Sequence, residues 1–137
     1  MVAISFSDPK LREKLLSGEK DQTIRPFKEK RYHQIVRIRK LQIYWKQRTK
    51  ESRKLFDAEL TEIFLIYLIH PKTGEEWPHR IENQELVPMT KEEAKELVRR
   101  DGFKSIEELY AWFKQQYRRQ KEKLKGKFMV IRFRRTK

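Results

Sequence analysis

The chain has 137 residues, a length typical of one domain and short for two. Its formal net charge is +14, from 34 lysines and arginines against 20 aspartates and glutamates, which favours a polyanionic partner, most commonly nucleic acid. It contains no cysteine, which excludes disulfides, thiolate catalysis and sulfur-ligated metals.

Apolar residues make up 37% of the chain and gather in runs such as 63–69 and 128–133, so a hydrophobic core is expected. Solubility alone explains the charge less well than nucleic-acid binding does, because basic residues outnumber acidic ones so strongly. No segment resembles a signal peptide, and no apolar run approaches the ~20 residues that span a bilayer. We therefore expect a cytoplasmic protein with no membrane association.

The N-terminal segment predicts a strand followed by a short helix. Residues 2–6 alternate apolar and polar side chains, as a half-buried strand does. Ser7 or Asp8 can cap a helix with Pro9 in its first turn, where the missing N–H costs nothing. Gly18 is the expected end, because glycine tolerates the left-handed conformation that terminates helices.

Directly after this helix, residues 18–26 bring an amine, a hydroxyl and a guanidinium close together in sequence. In an extended segment alternate residues share a face, so Thr23 and Arg25 are expected on one side and Ile24 on the other. A turn before the strand can bring the Lys20 amine back towards the Thr23 hydroxyl. Such donors suit a phosphate, a carbonyl oxygen or a base edge; the alternative is a solvated turn with an ordinary arginine on a barrel strand.

The middle of the chain predicts further strands joined by basic loops. A short strand over 23–25 ends at Pro26, and a polar, basic loop is expected over 27–31. Weak alternation over 35–40 and clearer alternation over 41–45 indicate two more strands.

A dense basic loop over 46–54 precedes residues 55–69, which are rich in β-branched and aromatic side chains and predict one long, bent strand. Residues 71–78 contain a turn signal at Gly74, so a hairpin or excursion is expected there. Residues 127–134 alternate again and predict a last strand that closes the sheet.

Two adjacent helices are predicted before that last strand. Thr90 and Glu93 fit a capping box, and the helix they begin is expected to end near Gly102. Ser105 repeats the capping pattern, so a second helix follows within a few residues. This order suits a small mixed β-barrel with helices on its rim better than a parallel α/β sheet, and we predict a single α+β domain over residues 1–137.

Basic residues recur at helical spacing in and beyond the second helix. Four of them, spaced four, three and four apart, are expected to form one stripe: Lys114, Arg118, Lys121 and Lys125. The basic loop is expected to extend this stripe into a track for a phosphate backbone, through Lys46, Arg48, Lys50 and Arg53. For any single one of these residues, a solvated surface position is the alternative.

Exposed aromatic rings can stack on the bases of single-stranded RNA. Trp77, beside Pro78 in a polar segment, is the best candidate for an exposed ring. The three histidines show no metal-ligand spacing with a carboxylate and are expected to be structural or surface residues: His33, His70 and His79. We therefore expect neither a metal nor a cofactor.

Four residues fit a G-x-K-x-x-T-x-R signature: Gly18, Lys20, Thr23 and Arg25. In this signature the chain resembles ASCH domains, which belong to the PUA-like superfamily of small β-barrels. The order of the later elements is similar too, with an Asp-Gly-Phe-Lys-Ser segment between two helices and then a closing strand. The resemblance implies a PUA-like barrel with a cleft between barrel and helices that binds RNA.

Some small bacterial ASCH proteins are amidohydrolases on acetylated cytidine, and use a lysine, a threonine proposed as nucleophile and a glutamate. Lys20 and Thr23 match the first two, and the carboxylate would fall at Asp101, although aspartate is one methylene shorter than glutamate. A threonine nucleophile needs a base. Lys20 can serve only if Arg25 and burial depress its pKa; a lysine with its ordinary pKa would instead bind a phosphate or a carbonyl.

RNA binding is the first hypothesis, because an enzyme acting on a nucleoside gains little from such a large positive charge. In this hypothesis the four signature residues bind a nucleotide, and the basic track binds the phosphate backbone of the RNA. The second hypothesis is the nucleoside amidohydrolase, with an RNA-cleaving hydrolase between the two. The third is a module that docks on an acidic protein partner, for example in a translation complex.

Overall fold

The computed structural model describes residues 1–136 and shows a mixed sheet with helices packed against it. The strands are β1 (Val2–Phe6), β2 (Gln22–Pro26), β3 (Lys40–Trp45), β4 (Arg53–Ile69), β5 (Glu76–Glu82), β6 (Glu85–Pro88) and β7 (Lys127–Arg135). The helices are α1 (Pro9–Ser17), α2 (Glu29–Ile38), α3 (Lys91–Arg100), α4 (Ile106–Gln116) and α5 (Lys121–Leu124). No helix in the described range is long and apolar enough to cross a membrane.

The long strand β4 organises the sheet, because three other strands pair with it. It runs antiparallel to β3 over its first part, to β7 over its middle and to β5 near its end, with register shifts that let it bend. β7 also pairs with β2, and β1 lies parallel to β3. The two ends of this curled path approach each other, since Arg25 on β2 donates to the Ser5 carbonyl on β1 at 2.6 Å. The predicted α+β class, a small barrel-like sheet with helices, is confirmed.

Two hydrophobic clusters lie on opposite faces of the sheet, and β7 contributes to both. Met129 and Ile131 belong to the cluster that also contains residues of β1 and β3 and the helix residue Ile35, which we call the curled-sheet cluster. Phe128 and Val130 belong to the cluster that contains the buried faces of α3 and α4. Because side chains alternate along a strand, β7 contributes to both clusters and so connects the curled sheet to the helices α3 and α4.

Helices α1 and α3 have the capping residues predicted from the sequence. Asp8 accepts a hydrogen bond from the Lys10 backbone N–H at the start of α1, and Gly18 ends it with a φ of 85°. At α3, Thr90 and Glu93 form a complete capping box. These residues therefore determine where α1 begins and ends and where α3 begins.

Helix α2 stands where the sequence predicted a loop over 27–31 and a strand over 35–40, and both predictions are wrong. Tyr32 and Ile35, three residues apart, pack on the curled-sheet cluster, whereas Val36 is 39% exposed. The helical period of the buried residues therefore prevails over the weak alternation of charged and apolar side chains.

The second predicted helix is shorter than the basic stripe required, so the stripe does not exist as one helix face. α4 ends at Gln116, and Tyr117 leaves the helical conformation with φ −106° and ψ 20°. The Tyr117 ring packs against Phe113 and Phe128, which turns the chain before the short helix α5 begins at Lys121.

The segment around Gly74 forms the predicted hairpin turn, with a φ of 77° at the glycine, and leads into β5. A second tight turn at Asn83 and Gln84 leads into β6, a strand that the sequence did not predict. Both turn residues have positive φ but the pair lacks the glycine that signals such hairpins. The predicted basic loop also ends earlier than expected, because β4 begins at Arg53.

The turn between α3 and α4 depends on Gly102, which has a φ of 93°. A Cβ atom at this position would lie 3.3 Å from Lys14 Cδ and 3.6 Å from Lys20 Cβ. The turn places Asp101 next to α1 and next to the segment between α1 and β2. It therefore positions part of the site described below.

We expect Gly102→Ala to lower the free energy of unfolding by about 1–3 kcal/mol, because alanine is strained at positive φ and its methyl group would crowd the Lys14 side chain. Gly74→Ala is the matched control: its φ is also positive, but its Cβ would meet no atom within 4 Å. Urea unfolding measures the destabilisation of both variants. Equal destabilisation would contradict the packing argument for Gly102.

Candidate functional site

Strand β2 presents its signature residues on one face of the sheet. Thr23 lies opposite Ile131 and Arg25 lies opposite Met129 in the antiparallel pairing with β7. Directly opposed residues share a face, so both polar side chains are on the side of the curled-sheet cluster. Ile24 points the other way, into the cluster under the helices. This is the alternation expected from the sequence.

Lys20 is buried, with 2% of its surface exposed, in the connection between α1 and β2. Its ammonium donates a hydrogen bond to the Asp101 backbone carbonyl at 2.8 Å and lies 3.4 Å from the Asp101 carboxylate. The backbone N–H of Lys20 donates to the Lys14 carbonyl, which ties the segment to α1. Both contacts direct the ammonium towards Asp101 at the end of α3. Because an ammonium has three N–H groups, one of them remains to donate to a ligand.

Gln22 joins Asp101 to a second buried charge. Its side-chain amide donates to the Asp101 carboxylate at 3.1 Å and to the Leu97 carbonyl at 2.9 Å, and its oxygen accepts from Arg132 at 2.8 Å. Arg132 in turn pairs with Glu62 at 2.8 Å. Sequence reasoning missed Gln22, because an amide side chain at the start of a short strand gives no sign that it is buried.

The environment of Lys20 lowers its pKa from the ordinary value of 10.5. Burial is the main cause, because it penalises the charged form, and the positive charge of Arg25 acts in the same direction. Asp101 opposes both, since its charge and hydrogen bond favour the ammonium. The amine therefore gives up its proton more easily than an exposed lysine does.

Arg25 holds the Thr23 hydroxyl and bridges the two ends of the curled sheet. Its Nε donates to Thr23 Oγ1 at 3.0 Å, and another guanidinium nitrogen donates to the Ser5 carbonyl. The guanidinium also lies over the Phe6 ring, 4.9 Å from its centroid. Because the Thr23 oxygen accepts this hydrogen bond, its own proton is free to be donated to another acceptor.

These groups line a cavity of about 610 Å³, which we call the inner cleft. Its polar wall contains Lys20, Thr23, Arg25 and Asp101. Its aromatic wall contains Phe6, Trp112 and Tyr117. A cavity of this size takes a ligand as large as a nucleoside.

Trp112 is one of the aromatic residues that line the inner cleft, whereas the sequence indicated Trp77 as the best candidate for an exposed ring. The ring is half-buried, and its indole N–H donates to the Asp8 carboxylate at 2.9 Å, which fixes its orientation. Trp77, the predicted exposed ring, is also half-buried, and its indole N–H donates to the Met89 carbonyl at 2.8 Å. Trp77 lies outside the inner cleft.

A second cavity of about 880 Å³ adjoins the inner cleft, with Arg25 and Tyr117 lining both. Four further basic residues line it: Lys28, Arg31, Lys123 and Lys127. We call this cavity the basic pocket. Lys28, Arg31 and Lys127 were not among the predicted contacts, because the first two were assigned to a loop and the third to the last strand. Lys123 lies in α5, beside the predicted basic stripe.

The remaining predicted contacts lie outside both cavities. Gly18 ends α1 and contributes conformation rather than a ligand contact. Lys46 pairs with Glu51 and Lys114 pairs with Glu76, each at 2.7 Å. The other predicted backbone contacts are surface residues away from the two cavities: Arg48, Lys50, Arg53, Arg118, Lys121 and Lys125.

The histidines lie away from the inner cleft. His79 is buried, with its Nδ1 2.9 Å from the Trp77 carbonyl, and its ring packs edge-on against His70. His33 is exposed on α2. Among residues 1–136, no group of three or more histidine and acidic side chains is arranged to hold a metal ion.

Comparison with known proteins supports the fold and no more. No family model matches the chain, and no curated protein matches it. The crystal structure of hypothetical protein PH0355 is similar, with a TM-score of 0.55 and 19% identity over 99% of this chain and 100% of that chain. At this identity the likeness concerns the α+β architecture alone.

The lowered pKa of Lys20 predicts a pH dependence of stability. Between the folded-state pKa and 10.5 the unfolded chain binds more protons, so stability rises with pH across this window. Relative to Lys20→Met, which cannot titrate, the wild-type protein should therefore gain unfolding free energy as the pH rises from 7 to 10. The exposed Lys10→Met is the control, and urea unfolding at each pH measures the difference. A constant gap between wild type and Lys20→Met would contradict the lowered pKa.

Proposed function

We propose that this chain is an RNA-binding domain of the ASCH type, which holds one nucleotide in the inner cleft. One observation carries the proposal: three different donors, Lys20, Thr23 and Arg25, line the same cavity as an aromatic wall. A nucleobase has polar edges and flat faces, so it needs this combination of donors and rings.

The donors and the rings have separate roles in this proposal. The Lys20 ammonium and the Thr23 hydroxyl are placed to bond carbonyl or ring-nitrogen acceptors on a base edge, because both retain donor capacity. Trp112 supplies a partly exposed indole for stacking, held by its bond to Asp8. The net charge of +14 supplies long-range attraction to phosphates.

Trp112→Leu should weaken the binding of a single-stranded RNA of about eight nucleotides by roughly 5- to 150-fold, since stacking on an aromatic ring contributes about 1–3 kcal/mol per base. Trp77→Leu is the matched control, because that indole is also half-buried and hydrogen-bonded but lies outside the inner cleft. Fluorescence anisotropy over a salt series measures both affinities.

Equal affinities of the two tryptophan variants would place the RNA elsewhere on the surface. Binding that is weak at low salt and shows no salt slope would count against RNA as the partner. Circular dichroism and thermal unfolding verify that each variant is folded before its affinity is interpreted.

A second candidate function is favoured by the lowered pKa of Lys20. An amine that loses its proton readily is suited to act as a general base. Thr23 lines the same cavity as Lys20, and its hydroxyl would be the nucleophile. In an amidohydrolase, the Thr23 oxygen would add to the acetyl carbonyl of acetylated cytidine while Lys20 takes the hydroxyl proton. The C–N bond would then break as Lys20 returns this proton to the departing cytidine amino group, and water would hydrolyse the acetyl-threonine ester to acetate. Arg25, bonded to the Thr23 oxygen, would stabilise negative charge on it, and Asp101 would orient the amine.

An RNA-cleaving reaction has less support. Such a reaction commonly uses imidazoles as acid and base, and none of the three histidines lines the inner cleft. The lysine and threonine remain as its only candidates there, and these are the same residues that the amidohydrolase hypothesis uses.

Deacetylation of acetylated cytidine, followed by chromatography, tests the second candidate. We expect Thr23→Val and Lys20→Met each to lower kcat by at least about 100-fold, the usual contribution of a nucleophile or general base. kcat/KM should rise with pH through a pKa below 10.5, because Lys20 must be neutral. The exposed Lys10→Met is the control. Turnover that survives both substitutions, or no turnover at all, would eliminate this candidate.

A further inference from the structure

The basic pocket gathers cations without acidic partners. Its wall contains Lys28, Arg31, Lys123 and Lys127 together with Arg25, and no aspartate or glutamate. Within residues 1–136, none of these five side chains forms an ion pair. The pocket is therefore a concentrated region of positive potential.

Several cations elsewhere on the protein do have acidic partners. Lys46 pairs with Glu51 and Lys114 with Glu76, both at exposed positions. Carboxylates are thus available on this surface, yet none is placed at the basic pocket. Like charges around one cavity repel one another and destabilise the fold, so this clustering is explained best by an anion that neutralises it.

The fold also holds several of these cations in place. Arg31 donates to the Ala3 carbonyl on β1, and Arg25 donates to the Ser5 carbonyl two residues further along the same strand. Lys127 lies over the Phe27 ring, 5.4 Å from its centroid. Side chains already held in position lose less conformational entropy when they bind a ligand than freely moving ones do.

The position of the basic pocket relative to the inner cleft limits the shape of the anion. Arg25 and Tyr117 line both cavities, so a ligand that occupies both would contact these two side chains. The Tyr117 ring is fixed by packing against Phe113 and Phe128. A free nucleoside in the inner cleft would leave the basic pocket of about 880 Å³ without a charged group to bind.

We propose that the basic pocket is a phosphate subsite, and that the ligand is a phosphorylated nucleotide whose base occupies the inner cleft. The assignment of the base rests on the proposed function, whereas the phosphate subsite rests on the unpaired cations. A nucleoside monophosphate and an RNA strand share this chemistry. In a strand, the phosphates adjacent to the bound nucleotide occupy the basic pocket.

The test measures, by isothermal titration calorimetry on the full chain, the binding of each common ribonucleoside, its 5′- and 3′-monophosphates, a four-nucleotide RNA and inorganic phosphate. The test variant is Lys28→Glu/Lys127→Glu, at two exposed positions of the basic pocket. The matched control is Lys91→Glu/Lys95→Glu, at exposed positions on α3 outside both cavities. Each pair lowers the formal net charge by two per residue, from +14 to +10.

We expect at least one monophosphate to bind about tenfold or more tightly than its nucleoside, an advantage equivalent to about 1.4 kcal/mol or more. The Lys28→Glu/Lys127→Glu variant should lose this advantage and keep the nucleoside affinity, and the control variant should keep both. For the four-nucleotide RNA, the slope of log affinity against log salt should fall by about 0.7 for each phosphate that the test variant no longer neutralises. If the four-nucleotide RNA exceeds the nucleoside in affinity by more than either monophosphate does, an RNA strand is the ligand.

Two results would overturn the phosphate subsite. One is a monophosphate that binds no more tightly than its nucleoside; the other is an equal decrease of affinity in the two double variants, which would show non-specific attraction. Lys28→Gln/Lys127→Gln repeats the comparison without added negative charge, should the glutamate variant fail to fold.

Failure of the proposed function gives a different pattern. In that case inorganic phosphate and the monophosphates still bind in a manner that depends on Lys28 and Lys127, but the base makes no contribution and Trp112→Leu changes nothing. This pattern would keep the phosphate subsite and reject the nucleotide in the inner cleft.

Discussion

The buried ammonium of Lys20 is the constraint on which the site depends. A charged amine with 2% of its surface exposed is costly unless it is paired and hydrogen-bonded, and Asp101 supplies both interactions. Asp101 can do so because α3 ends there and Gly102 turns the chain sharply towards α1. Gln22 then connects the same carboxylate to Arg132, so one polar network ties α3 to β2 and β7.

The curled sheet creates the space that this network lines. Its terminal strands β1 and β2 meet through the Arg25 side chain and not through a backbone ladder. A side-chain bridge leaves an opening that paired strands would close, and the two cavities lie at this opening on either side of Arg25 and Tyr117. Arg25 thus joins the sheet ends and holds the Thr23 hydroxyl. It also lines both the inner cleft and the basic pocket, whose charged lining residues are all cations. Stability and ligand recognition depend here on the same side chain.

Much of the fold could be predicted because its signals are local. The bounds of α1 follow from Asp8 and Gly18, the start of α3 follows from Thr90 and Glu93, and β4 follows from a long β-branched and aromatic run. The errors arose where local signals were weak. The N-cap residue of α2 is Lys28, whose side chain makes no capping hydrogen bond, so the sequence carries no capping signal for the start of this helix. At the end of α4, the Tyr117 ring packs against Phe128 on β7, a contact made across the fold.

By itself, the sequence determined the chemical groups of the site and the face of β2 on which two of them lie, because strand alternation is a property of the backbone. It also determined the cationic character of the surface, because net charge is independent of conformation. Only the tertiary structure decided that Lys20 meets Asp101, that Gln22 and Trp112 belong to the site, and which cations surround the basic pocket. These contacts join residues as far apart as Asp8 and Trp112, and the pairing that closes such distances depends on the packing of the whole chain.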